Sequence, residues 1–306
     1  MYQDKHKIAA RKVFFDFSKS DLVWIPDDHF SSHVMNGVNL LLPAGEFWFC
    51  RVYNRALPYI TDENLKDDVI GFIRQEAIHA NAHIAGQKFL TAHNISIDEA
   101  KKIPELIFGT LLSDQPLGMS SLNLKTIEYP WLVFRVGIIA AIEHFTGVIG
   151  QWCMDNKSWD EFQADPVIAD LFRWHLAEEV EHRNVAFDLF AHLVQNKFGF
   201  YISRQVLMAA IFPLFMYLVA ECGRSIAKQD NDEEMQKLVR KSFIGLMIEL
   251  EKIGRKTKNV PTFSHLAKSV LRWGSPFYHP ENEGNTEQAL SYLNQSTAVN
   301  AAKFIH

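Results

Sequence analysis

Two Glu-x-x-His tetrads, Glu76–His79 and Glu179–His182, lie about a hundred residues apart in a chain of 306, each inside a helical stretch. An α-helix turns once in ~3.6 residues, so positions i and i+3 share a face, and each tetrad can aim a carboxylate and an imidazole at one point. Two further glutamates alternate with the tetrads: Glu46, in Gly-Glu-Phe-Trp-Phe, and Glu143, in Ile-Ile-Ala-Ala-Ile-Glu-His-Phe. A charge in a segment that otherwise wants burial calls for a counter-charge. The order Glu, Glu-x-x-His, Glu, Glu-x-x-His is that of a carboxylate-bridged dinuclear metal centre inside a four-helix bundle. The expected fold class is therefore all-α. A metal-binding bundle is expected over about 27–197 and a C-terminal helical extension over about 198–306, together forming one domain.

Local patterning supplies the helices. Asp27 and Asp28 can cap a first helix to about Ala56, with Pro43 and Gly45 kinking or restarting it before Glu46. A second helix opens after Thr61 and runs to about His93, and a shorter one crosses from Ile97 to about Leu112. The third bundle helix is expected over about 130–155, and the fourth from Pro166 to about Gln195. Helices over about 203–227, 232–256, 261–272 and 285–300 follow, with a loop at 274–284 and no sheet.

On the fourth helix His175, Glu179 and His182 stand at i, i+4 and i+7, one face carrying two imidazoles and a carboxylate. The second helix repeats the theme with Glu76, His79 and His83, although His83 suits a surface role or one behind the ligands. Glu178 and Glu181 are rotated about 100° to either side, toward solvent or salt bridges, so Glu178→Ala is expected to retain both metals. His144, beside Glu143, is rotated equally far and reads as structural. Asp188 can orient a ligand histidine or make an ordinary salt bridge. Four glutamates balance two divalent ions, and mixed imidazole and carboxylate donors suit iron or manganese. The expected cofactors are two iron ions, with manganese or a mixed pair as the alternative.

Composition excludes several classes. A net charge of −5 without a basic run gives no nucleic-acid surface. Cys50, Cys153 and Cys222 are far apart and read as reduced thiols of a cytoplasmic protein. The start has no apolar core of a secretory leader. The uncharged run Val206–Ala220 has fifteen residues and contains Pro213, short of the ~20 needed to span a bilayer. It reads as a core or subunit-interface helix, consistent with a homodimer, or else as the wall of an apolar substrate tunnel or a lipid-facing surface.

Over nearly its whole length the chain resembles the bacterial family called predicted metal-dependent hydrolases. The resemblance is carried by Pro43-Ala-Gly-Glu-Phe-Trp-Phe49, Gln75-Glu-Ala-Ile-His79, Glu143-His-Phe-Thr146, Trp174-His-Leu-Ala-Glu-Glu-Val-Glu-His182, Ala186-Phe-Asp188 and Ser275-Pro-Phe-Tyr-His-Pro280. Across roughly 46–182 the ligand order is also similar to that of the di-iron arylamine N-oxygenases, which are ferritin-like. That resemblance implies Glu46, Glu76, His79, Glu143, His175, Glu179 and His182 as ligands, with Glu76 and Glu179 bridging. The activity expected is a non-haem di-iron oxygenase or oxidase, using O₂ as co-substrate on a small hydrophobic or aromatic molecule, with a reductase as electron donor. Trp48 and Trp174 would belong to a dry pocket or simply to the core. The alternative is a dinuclear hydrolase using metal-activated water. Iron storage and a purely structural metal are the remaining readings.

Overall fold

Asp28 accepts the Ser31 amide at 3.0 Å and caps α1, His29–Ala56, as a short acidic residue ahead of an apolar run should. The structure, a computed structural model, describes residues 7–116, 127–301 and 303–305, the last three as backbone. The first six residues lie outside the described residues. Helix α1 is continuous through Pro43 and Gly45, so the restart expected there does not occur. Pro43 cannot donate to the Asn39 carbonyl one turn back. The Gln87 side-chain amide takes that carbonyl at 3.1 Å, so a bond from a neighbouring helix replaces the missing rung.

Helix α2, Glu63–Ala92, is capped by Asp62, and α3, Asp98–Pro104, continues as a π-type segment over Glu105–Leu111. Helices α4, Glu128–Asp155, and α6, Pro166–His182, flank the short α5, Ser158–Glu161. The expected fourth bundle helix ends early, and a separate α7 spans Val185–Val194. The Arg183 guanidinium takes the Val180 carbonyl, which the Asn184 amide would hold in an unbroken helix. It also binds the Pro280 and Glu281 carbonyls and the Thr286 hydroxyl.

The extension comprises α8, Lys197–Ala227, α9, Glu233–Leu238, α10, Phe243–Thr257, and α11, Phe263–Trp273. After a short 3₁₀ turn come α12, Thr286–Gln295, and α13, Thr297–Asn300. The helices expected over about 232–256 and 285–300 are thus each divided in two. Apart from a ribbon of β1, Ala10–Lys12, antiparallel to β2, Lys303–Ile305, the described residues are all-α.

Helix α1 packs on α2 and α8, and α4 packs on α6, α7 and α8. The α1 and α8 backbones touch: a Cβ on Gly37 would stand 2.4 Å from the Gly223 nitrogen. The main apolar core includes both Trp24 and Trp273. By length and hydropathy α4 and α8 are each long enough to cross a membrane, with 72% of the apolar window of α4 buried and 44% of that of α8. The argument from shortness holds for Val206–Ala220 but not for the 31-residue helix that contains it.

Candidate metal centre

Four helices bring the seven expected ligands together, and all seven are buried. Helix α1 presents Glu46, α2 presents Glu76 and His79, α4 presents Glu143, and α6 presents His175, Glu179 and His182. Glu179 is central. Its Oε1 lies 2.7 Å from His175 Nε2 and 3.5 Å from His79 Nδ1, and its Oε2 lies 3.1 Å from His182 Nε2. Glu76 Oε1 is similarly shared, 3.5 Å from His79 Nδ1 and 3.4 Å from His182 Nε2. Glu143 Oε2 stands 3.2 Å from His182 Nε2, and Glu46 Oε1 stands 3.6 Å from His175 Nε2. The donors therefore divide into two half-sites. One has Glu143 and His182, the other Glu46, His79 and His175, and Glu76 and Glu179 lie between them.

Each histidine points one nitrogen inward and has the other engaged behind. His79 donates from Nε2 to Glu178 Oε2 at 2.8 Å, which leaves Nδ1 bare toward the carboxylates. His182 donates from Nδ1 to Gln75 Oε1 at 2.8 Å, and Gln75 is oriented by its own donation to Glu181 at 2.7 Å. For His175 the chain is longer. His83 Nδ1 donates to Asn39 Oδ1 at 2.7 Å, so His83 Nε2 accepts from His175 Nδ1 at 2.5 Å, and His175 Nε2 is left facing Glu179 Oε1 at 2.7 Å. An outer hydrogen bond that fixes the tautomer and leaves the inner nitrogen basic is the usual support of a metal-bound histidine. His83 accordingly sits behind His175, not on the surface.

The electrostatics are those of a crowded, dry site. Burial, and then the neighbouring carboxylates, push Glu46 and Glu143 well above the usual carboxylate range, and Glu76 upward as well. Burial also opposes ionisation of Glu179, but the imidazoles of His182, His175 and His79 outweigh it and hold this group well below that range. Burial lowers His175 to about 4. Among the described residues both carboxylate oxygens of Glu46, Glu76 and Glu143, with His79 Nδ1, have no hydrogen-bond partner. Each such buried orphan costs on the order of 1–3 kcal/mol, more if charged. Cations between them would remove that cost.

Sequence reasoning caught only part of the layer behind the candidate ligands: it offered His83 a place there and salt bridges to Glu178 and Glu181, but named neither Arg11 nor Gln75 nor Asn39. Glu178 and Glu181 are buried and not turned to solvent; Arg11 on β1 pairs with them at 2.6 and 2.9 Å. Because Glu178 fixes His79, Glu178→Ala is no neutral control. It is expected to weaken metal binding about tenfold or more, read by competition with a chelator; unchanged affinity would remove this role. The adjacent Glu178-Glu179 and Glu181-His182 gave the only hint, since nothing in the sequence pairs them with Arg11. His144 bonds Tyr278 at 2.7 Å and Ser269 at 3.0 Å, away from the site, as a structural residue should. Asp188 accepts from His279 at 3.0 Å and so makes the ordinary contact. Trp48 packs on Phe108, and Trp174 packs edge-on to His79.

On the side away from the outer bonds, Glu46, Glu76, Glu143 and Glu179 face a chamber of about 60 Å³. Its other walls are apolar, among them Leu41, Phe49, Phe108, Ile142 and Phe215, with the Thr146 hydroxyl as the exception. That hydroxyl donates to the Glu143 carbonyl at 3.1 Å. A family model described as "Predicted metal-dependent hydrolase" matches residues 9–284. Neither the curated proteins nor the solved structures contain a match to the chain.

Proposed function

This chain belongs to the predicted metal-dependent hydrolase family, and we propose that it is a dinuclear metalloenzyme that oxidises an apolar organic substrate with O₂. The four ligand-bearing helices would be a ferritin-like bundle, α1, α2, α4 and α6. Glu143 and His182 would hold one ion, and Glu46, His79 and His175 the other, with Glu76 and Glu179 bridging. The unpartnered carboxylate oxygens and His79 Nδ1, with the inward-facing Nε2 atoms of His175 and His182 on Glu179, fit divalent cations, and four glutamates neutralise two of them. Iron or manganese, when bound, would supply the electrons that reduce O₂.

The observation that carries the reaction class is the chamber. Apart from the proposed ligands, its described walls offer one polar side chain, Thr146, already engaged with Glu143. Among the described residues no arginine, lysine or further acid lines it to polarise a carbonyl or protonate a leaving group. The apolar walls exclude water and hold a substrate by burial, while the outer bonds of Glu178, Gln75 and His83 keep the imidazoles aligned. An external reductase belongs to this reading if turnover is to repeat.

A second reading, hydrolysis by a metal-activated water, is favoured by the family's description, which supports it more directly than it supports oxidation. Metal analysis of fresh protein, then anaerobic reduction and exposure to O₂ under an optical probe, separates the two. About two irons per chain with a transient visible absorption is the expected result. Zinc or manganese with no response to O₂, together with cleavage of apolar esters, would replace oxidation by hydrolysis.

A further inference from the structure

Three apolar cavities stand in a row along α8. The carboxylate chamber shares Leu41, Leu42, Thr146 and Phe215 with a second cavity of about 90 Å³ that touches His175. The second shares Val34, Met216, Val219 and Leu250 with a third of about 50 Å³. Helix α8 walls all three, from Ile211 in the first to Ala227 in the last. At 1.5 Å per residue those positions are about 24 Å apart. The third cavity is where polar groups return, as His33 and Arg224. Arg224 Nη2 lies 3.3 Å from Glu221 Oε1, yet neither Nη2 nor the buried Nε has a hydrogen-bond acceptor.

We infer that the three cavities form one conduit for a long unbranched alkyl carboxylate, its head group on Arg224 and its chain reaching the carboxylate chamber. Compact drug-sized ligands occupy pockets of about 300–1,000 Å³; small cavities in series suit a flexible chain. The walls between them include Met216, a side chain that repacks readily. A guanidinium with free N–H groups at the end of an apolar passage selects a carboxylate over an amine. The inference deepens the proposed oxidation and rests on it for the reaction, although binding along the conduit does not require the metals.

Calorimetric titration of the metal-loaded protein with dodecanoate, hexanoate and dodecylamine tests it. Each buried methylene tightens binding by about fourfold, so dodecanoate should bind at least about a hundredfold more tightly than hexanoate, and more tightly than dodecylamine. Val219→Trp, which plugs the passage where the second and third cavities meet, should weaken dodecanoate by about tenfold or more without changing metal content or melting temperature. Val219→Phe serves if the larger ring prevents folding. Arg224→Gln should weaken dodecanoate but not dodecanol. Equal affinities for the two acids, or no effect of the plug, would overturn the conduit. Metal content of the same samples keeps the two ideas apart. A metal-free chain that binds dodecanoate through Val219 defeats the metal centre alone; a metallated chain indifferent to chain length defeats the conduit alone.

Discussion

Glu179→Ala is expected to lower metal content from about two ions per chain to below one, the largest effect of any single ligand change. Its carboxylate is the one group within 3.5 Å of all three inward histidine nitrogens. Truncation removes a donor from both half-sites and a quarter of the charge that balances two cations. Glu143→Ala and Glu46→Ala each strip one half-site, since Glu143 approaches His182 and Glu46 approaches His175. Each should therefore retain about one ion. Elemental analysis of freshly purified variants reads the difference. Full occupancy in Glu179→Ala, or equal losses in all three, would dismantle the bridging assignment. Metal binding to a site of this kind also stabilises the folded state. The wild type should melt at lower temperature after chelation, and Glu179→Ala should respond far less.

How far this centre can be read from the sequence depends on the distance along the chain over which each part is specified. The donors are legible because helix periodicity is local: Glu76 and His79, and His175, Glu179 and His182, share faces by spacing alone. Helix starts are legible for the same reason, as with Asp28, although the second helix is capped by Asp62, one residue past the expected Thr61. What fails is whatever needs a distant partner. Pro43 signals a break, and only the arrival of Gln87 from α2 lets α1 continue. Helical patterning runs on past His182, yet Arg183 finds its carbonyls in a segment about a hundred residues later. The supports behind the ligands belong to the same class. Asn39, Gln75 and Arg11 are polar residues with no local signature, and each acquires its role through helix and ribbon packing. His83 shows the boundary well. Its position in line with His79 was visible, but its place behind His175 required the α2–α6 geometry.

Arg11→Met is expected to destabilise the folded protein by about 3–5 kcal/mol, the typical cost of removing one partner from a buried ionic cluster. Arg11 is 5% exposed, and its Nη1 reaches Glu178 at 2.6 Å, Glu181 at 2.9 Å and the Ala9 carbonyl at 3.0 Å. Without it two buried carboxylates lose their common cation. Glu181 keeps the Gln75 amide, and Glu178 keeps the His79 N–H, so both remain held in place without the guanidinium. The cost should therefore appear as stability first and as metal affinity second. Denaturant unfolding of the chelated proteins isolates the first term, because metal linkage is then absent from both. The double variant Arg11→Met with Glu181→Gln removes one of the two carboxylate charges that faced the guanidinium and should recover part of the loss. A single variant as stable as the wild type would mean that the ribbon closes over the site without supporting it. If the single and double variants were equally unstable, the loss would lie in packing of the arginine stem and not in the charges that stand behind His79.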